Sequence, residues 1–284
     1  MFKLYYSLVK PGIIYGNLLT TIAGFLFASH WHIHTGLFLA TIIGTSFVIG
    51  SGCVYNNYID RSIDKHMART KKRALVSGQI SGRQALVFAT VLGVFGFAML
   101  ALFTNAVVVA IGAIGFLDYV ILYGITKRHG AYGTIVGSIS GATPVVAGYC
   151  AVTGRVDTTA WILFLILVLW QMPHFYAIAM YRAKDYAAAG LPVLPVKQGV
   201  RTAKIHIVGY VAAFIVSLAL LTVYGHAGYI FLGVMGALGL VWLWKGLGGF
   251  KAIDDAAWAR SMFLFSLIII TALSVMLAVG SVLA

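Results

Sequence analysis

An oxygen-rich segment closes the second apolar stretch of the chain. Residues 56–64 read Asn-Asn-Tyr-Ile-Asp-Arg-Ser-Ile-Asp. Asn56, Asp60 and Asp64 are spaced by four, so on a helix they share one face about one turn apart. Two carboxylates and an amide, without thiol or imidazole, suit a hard cation such as Mg²⁺ that also holds substrate phosphate. The alternative is a solvated helix end whose aspartates pair with neighbouring basic residues.

The scarcity of acid favours the functional interpretation. The chain has seven acidic residues, all aspartate, and acids beside a membrane span usually have a function. A basic run, residues 69–73, follows at once with Arg69, Lys71 and Arg73. It indicates either a loop that contacts anionic headgroups or a site that stabilises a departing diphosphate.

Further polar groups lie at the ends of later apolar stretches. Lys127 and Arg128 are topology signals, phosphate contacts, or both. His174, in the Trp-Gln-Met-Pro-His-Phe segment 170–175, is either a neutral core histidine or a group for ligation or proton transfer. His30, His32 and His34 are interpreted as a polar turn, with a metal site as the alternative.

These residues must be positioned by membrane-spanning helices. The chain of 284 residues is 61% hydrophobic and only 10% charged, far from the soluble balance. Nucleic acid is not an expected partner despite the net charge of +13, because basic loops are usual in membrane proteins. Apolar runs predict nine helices, at about 12–29, 37–58, 84–103, 106–126, 132–152, 158–180, 204–224, 227–245 and 261–283.

The distribution of basic residues predicts the orientation. With the N-terminus inside, only Arg155 among the 20 Lys and Arg residues falls outside, as expected when cytoplasmic loops collect positive charge. The two long inside loops, about 59–83 and 181–203, hold three of the seven aspartates, Asp60, Asp64 and Asp185. We therefore predict one all-α transmembrane domain over residues 1–284, with a cytoplasmic N-terminus and an active site at the cytoplasmic face.

Several motifs together resemble the haem-modifying branch of the UbiA-type intramembrane prenyltransferases, along nearly the whole chain. The most specific are residues 56–64 followed by Met67-x-Arg69-Thr70, the segment 170–175, and Lys184-Asp185-Tyr186 leading to residues 191–195. Two positions depart from the wider superfamily. Asn57 stands where its first motif has aspartate, and Ala189 stands where its second motif has a second acid.

The resemblance implies a helical bundle around a central cavity that transfers farnesyl from farnesyl diphosphate to a vinyl group of haem B, with water added. Haem B is then a substrate, and Mg²⁺ the cofactor. The bundle would lie among the lipids of a bacterial-type inner membrane, with haem A synthase or terminal oxidase assembly proteins as candidate partners.

The resemblance also implies a role for each site residue. Mg²⁺ would bind Asn56, Asp60 and Asp64, with Asp185 added. Basic residues would bind the diphosphate, and Asp60, Asp64, Asp185, His174 and Tyr181 would act in catalysis, the tyrosine as one of several rings facing the allylic cation. The diphosphate-binding set is Arg69, Lys71, Arg73, Lys127, Arg128 and Arg182.

Two other functions fit parts of the pattern. A UbiA-type aromatic polyprenyltransferase, acting on a compound like 4-hydroxybenzoate, would share the diphosphate chemistry, but Asn57 and Ala189 stand against it. A membrane transporter would also show intramembrane polar groups and Pro-broken helices. Here, however, acids lie at the ends of spans, and no inverted duplication is visible.

Overall fold

Long apolar helices make up most of the molecule. The computed structural model describes residues 1–283, and the side chains of residues 1–280. Within that part, nine helices are long and apolar enough to cross a membrane, which confirms the predicted number. The helices are α1 Phe2–Leu8, α2 Pro11–Ser29, α3 Thr35–Asp64, α4 Gly82–Phe103, α5 Ala106–Leu117, a π-helix Asp118–Leu122, α6 Tyr123–His129, α7 Gly133–Thr153, α8 Thr158–Tyr181, α9 Ala183–Ala188, α10 Leu194–Gln198, α11 Val200–Val223, α12 Tyr229–Gly248, a 3₁₀ turn Gly249–Lys251 and α13 Asp255–Leu283.

The helix bounds differ from the predicted ones where polar residues continue a helix. Helix α3 runs on to Asp64 rather than ending at 58, because residues 59–64 contain no glycine or proline to stop it. The first long loop therefore begins at Lys65, and not at 59. The second, predicted over 181–203, contains the short helices α9 and α10 and gives way to α11 at Val200.

Helix α8 lies at the centre of the bundle and packs against α7, α11 and α13. Helix α2 packs along α7, and α3 packs along α4. The α2–α7 crossing depends on two glycines. A Cβ atom on Gly24 would overlap the Val145 carbonyl oxygen, and one on Gly148 would overlap the Thr21 carbonyl oxygen. The two backbones are therefore as close as glycine alone allows.

Replacing Gly148 with alanine should destabilise the bundle. The added methyl group would force α2 and α7 apart, and overpacking of this kind costs about 1–3 kcal/mol. Thermal unfolding of the purified protein in detergent should show a lower Tm. Gly233→Ala is the matched control, because no atom lies within 4 Å of its added Cβ. Equal melting temperatures for the two variants would contradict the crossing as described.

Candidate active site

One face of α3 carries the predicted oxygen ligands at the end of the bundle. Asn56, Asp60 and Asp64 lie on the same continuous helix and are 3%, 9% and 5% exposed. We call these three residues the acidic face. Buried carboxylates are expensive unless they are paired, because their charge is removed from water. Their burial therefore requires partners of opposite charge.

Basic side chains contact both carboxylates of the acidic face. Lys127 Nζ donates to Asp60 Oδ2 at 2.5 Å, and Arg128 Nη2 lies 3.3 Å from Asp60 Oδ1. Arg73 Nη1 donates to Asp64 Oδ2 at 2.6 Å. Three of the six residues predicted to bind diphosphate thus converge on the two aspartates. The arrangement concentrates positive charge beside the two carboxylates.

A fourth cation, Lys10, was missed by the sequence analysis. Its Nζ donates to Asn56 Oδ1 at 2.7 Å, across 46 positions of sequence. Burial lowers the pKa of the Lys10 ammonium to about 8, with the positive charges of Arg73 and Lys127 acting in the same direction. In the sequence, Lys10 is only one of the 19 basic residues that fall inside, directly before Pro11 and the first span.

A π-helix places two tyrosines beside the acidic face. The N–H of Tyr123 donates to the carbonyl of Asp118, and this wider turn is typical of functional sites. The rings of Tyr119 and Tyr123 stack with centroids 5.8 Å apart and planes 10° apart. Lys127 Nζ lies 4.8 Å from the Tyr123 ring centroid. The Tyr123 ring therefore stands next to Lys127, one of the cations that contact Asp60, and the Tyr119 ring stacks on it.

The second loop carries Asp185 on α9. Arg182 Nη1 lies 3.8 Å from Asp185 Oδ2, so these two predicted residues pair with each other. Burial raises the pKa of Tyr186, while the positive charges of Arg69 and Arg182 oppose the rise. The first and second loops therefore approach each other at Arg69 and Tyr186.

Three predicted residues lie away from the carboxylates. Lys71 is exposed on the first loop. The Tyr181 ring packs on Phe263 with centroids 5.8 Å apart, beneath the Arg182 guanidinium at 5.2 Å. His174 Nδ1 lies 2.7 Å from Ser266 Oγ, and its ring contacts come from α8 and α13. The catalytic roles of His174 and Tyr181 stay predictions.

The donor set is suited to Mg²⁺. Among the residues that the structure describes, no three His, Cys, Asp or Glu side chains form a metal cluster. Two carboxylates and the Asn56 amide would therefore need further oxygens from water and substrate, which is how Mg²⁺ is usually bound. Asn56 Nδ2 is buried without a hydrogen-bond partner. Of the three histidines for which a metal site was the alternative, His34 caps α3. Its Nδ1 accepts a hydrogen bond from the Leu37 N–H at 3.2 Å.

Comparison with known proteins gives consistent matches over the whole chain. Residues 17–268 match the model of the UbiA prenyltransferase family. A protein of Klebsiella pneumoniae subsp. pneumoniae named protoheme IX farnesyltransferase is 53% identical over 280 residues, which cover 98% of this chain and 95% of that protein. One of the same name from Yersinia pseudotuberculosis serotype O:1b is 52% identical over the same shares.

Solved structures show the same fold at low sequence identity. A digeranylgeranylglyceryl phosphate synthase has a TM-score of 0.81 at 21% identity and covers 100% of this chain and 99% of its own. A UbiA homologue from Archaeoglobus fulgidus, bound to GPP and Mg²⁺, has a TM-score of 0.75 at 15% identity, covering 96% and 99%. The predicted all-helical bundle is therefore confirmed.

Proposed function

The chain belongs to the UbiA prenyltransferase family, and we propose that it transfers a farnesyl group from farnesyl diphosphate to haem B, with water, to give haem O and diphosphate. The observation that supports diphosphate as the leaving group is the pairing of the two aspartates of the acidic face with three basic residues, Lys127, Arg128 and Arg73. The acceptor half follows from the relatives that share 53% and 52% of the sequence and are named for that reaction.

The cations around the acidic face bind the diphosphate in this proposal. Lys127, Arg128 and Arg73 turn from the carboxylates to phosphate oxygens once the carboxylates have another partner. Lys10 and the buried Asn56 Nδ2, which has no hydrogen-bond partner, add two further donors. Charge-assisted hydrogen bonds of this kind are stronger than neutral ones, since the phosphate oxygens carry negative charge.

Asn56, Asp60 and Asp64 would hold Mg²⁺, and Asp185 is the candidate for a further contact from the second loop. The metal would neutralise charge on the phosphate oxygens and act as a Lewis acid. The positive charges of Arg69 and Arg182 both oppose the rise in the pKa of Tyr186 on the second loop. This supports their proposed contact with the diphosphate from the loop side of the site. Lys71, being exposed, is the weakest member of the predicted set.

Breaking the C–O bond of the prenyl diphosphate leaves negative charge on diphosphate and an allylic cation on the farnesyl group. Lys127 and Arg128 stabilise the growing negative charge because they are fixed in place before it forms. The stacked faces of Tyr119 and Tyr123 stabilise the cation. Tyr181 is proposed as a further aromatic contact, and His174 as a ligand or proton-transfer group for haem.

The haem vinyl group then forms the new C–C bond through its terminal carbon. The positive charge passes to the carbon next to the porphyrin ring, where water adds its oxygen and loses a proton. An apolar surrounding must keep water from the allylic cation before that point. The apolar spans of the bundle provide it.

We expect purified protein with farnesyl diphosphate and Mg²⁺ to modify haem B and not 4-hydroxybenzoate. Mass spectrometry of the extracted products would measure this, with a reaction lacking Mg²⁺ as the control. If only 4-hydroxybenzoate were prenylated, the activity would be aromatic prenyl transfer and the proposal would be wrong. Diphosphate release without either product would leave prenyl diphosphate cleavage as the activity.

The sidedness of the protein is proposed from its charges. With the site end of the bundle taken as inside, 19 of the 20 Lys and Arg residues fall in inside segments, which supports a cytoplasmic active site and N-terminus in a bacterial-type inner membrane. Residues 1–284 are proposed to act as one transmembrane domain. A single cysteine introduced at Gln79, in the first loop, should react with a membrane-impermeant maleimide only after intact cells are opened.

A further inference from the structure

We propose that Asn57 is a positioning residue, which holds the corner between α1 and α2 and thereby places the Lys10 ammonium at the diphosphate site. We define the α1–α2 corner as residues 8–11. This inference depends on the proposed function only in that Lys10 contacts diphosphate. Asn57 itself is not expected to touch substrate.

The Asn57 amide is bound directly to the corner. Its Nδ2 donates to the carbonyl oxygen of Leu8 at 2.8 Å, and Leu8 is the last residue of α1. Asn57 is 3% exposed and Leu8 is 1% exposed. A buried carbonyl at a helix end needs a donor, because it has no partner within the helix. Asn57 supplies that donor from α3.

The corner has an unusual backbone conformation that needs such support. Lys10 has φ 52° and ψ 69°, in the left-handed region, and it stands directly before Pro11. A non-glycine residue in this region is uncommon and is strained unless its surroundings hold it. The residue before a proline is further restricted, since the proline ring excludes helical conformations. The Leu8 carbonyl is two residues from this strained position.

Neighbouring residues of α3 thus hold the corner at two points. Asn57 binds its backbone at Leu8, and Asn56 Oδ1 accepts from the Lys10 ammonium at 2.7 Å. The side chains of Val9 and Ile14 also face α3. They lie 3.5 and 3.7 Å from the place that a Cβ atom would take if Gly50 had one. Lys10 therefore reaches the acidic face only while the α1–α2 corner remains packed against α3.

Asparagine fits this role at position 57, whereas aspartate does not. Asn57 Oδ1 is buried without a hydrogen-bond partner, so the useful half of the amide is its N–H group. An aspartate here would face the Leu8 carbonyl oxygen with a second oxygen and could not donate to it. The departure from aspartate noted in the sequence therefore exchanges a negative charge for a donor that the corner requires.

A binding experiment on full-length protein in detergent tests the inference. Inorganic pyrophosphate with Mg²⁺ would be titrated calorimetrically into wild type, Asn57→Asp, Asn57→Leu, Lys10→Met and the double variant Asn57→Leu with Lys10→Met. Asn57→Leu removes the donor without adding charge. We expect each single variant to raise the Kd about tenfold, and the double variant to match Lys10→Met within about twofold, because both changes remove one interaction.

Asn105→Asp is the matched control. Asn105 Nδ2 donates to the Cys150 carbonyl at 2.9 Å, so the same substitution removes a similar bond far from the acidic face, and the Kd should not change. Hydrogen exchange of the amides of residues 9, 10 and 12–14 should quicken in both Asn57 variants but not in Asn105→Asp. This measurement reports on the corner without any ligand.

Two results would overturn the inference. One is a wild-type Kd in both Asn57 variants. The other is a double variant about 100-fold weaker, since multiplied effects would mean that Asn57 acts independently of Lys10. The proposed function fails separately, through absence of farnesyl transfer to haem by the wild type. The pyrophosphate measurements stand in that case, because they involve no prenyl group or haem.

Discussion

Farnesyl transfer to haem should fall by at least about 1000-fold when Asp60 is replaced by asparagine, equivalent to about 4 kcal/mol of transition-state stabilisation. Asparagine keeps the size and one acceptor oxygen but removes the charge that would hold Mg²⁺. It also leaves Lys127 and Arg128, both of which contact the Asp60 carboxylate, without an anionic partner. Steady-state rates with farnesyl diphosphate and haem B would measure the loss.

The control for this change is Asp254→Asn, at an aspartate whose Oδ1 accepts from the N–H groups of Ala256 and Ala257. Asparagine can accept the same bonds, so the rate should stay near that of wild type. Size-exclusion profiles and Tm values should show that both variants are folded. An Asp60→Asn protein with more than a tenth of wild-type activity would remove Asp60 from the metal site.

Replacing Lys127 with methionine should lower kcat about 100-fold, with a smaller change in KM for farnesyl diphosphate. Methionine keeps a long side chain at this position, but the positive charge that stabilises the leaving diphosphate is lost. An interaction that strengthens as the C–O bond breaks acts mainly on kcat, whereas one made equally with bound substrate acts on KM. Rates across a range of farnesyl diphosphate concentrations would separate the two parameters.

Lys65→Met provides the comparison, because Lys65 is exposed just beyond the end of α3. Its loss tests whether removing any positive charge near the site slows the reaction. Kinetics within about twofold of wild type are expected for it. If Lys127→Met changed only KM, Lys127 would be a binding residue with no added role as the bond breaks.

The acidic face was predictable because its information is local. A spacing of four residues within one helix brings Asn56, Asp60 and Asp64 together without any knowledge of tertiary structure. Nine spans were predictable for the same reason, since each apolar run reports its own length. Positions of this kind follow from composition and period. The end of α3 was misplaced because hydropathy marks where a span leaves the lipid, not where the helix stops.

Partners from distant segments were not predictable in the same way. Lys127 and Arg128 were identified as phosphate contacts or topology signals, but pairing with Asp60 across 67 and 68 positions is a tertiary result. Lys10 was missed altogether, since a left-handed residue before proline has no pattern in sequence. The contact between His174 and Ser266, 92 positions apart, likewise depends on how α8 meets α13.

The pairing of the acidic face also bears on how the protein reaches its membrane. Both buried carboxylates already have basic partners, Asp64 from the first loop and Asp60 from α6, so their removal from water is compensated by the chain itself. We therefore expect insertion and assembly of the bundle to require neither metal nor prenyl donor. A cell short of magnesium or isoprenoid would still accumulate folded protein, ready to work as soon as its substrates are supplied.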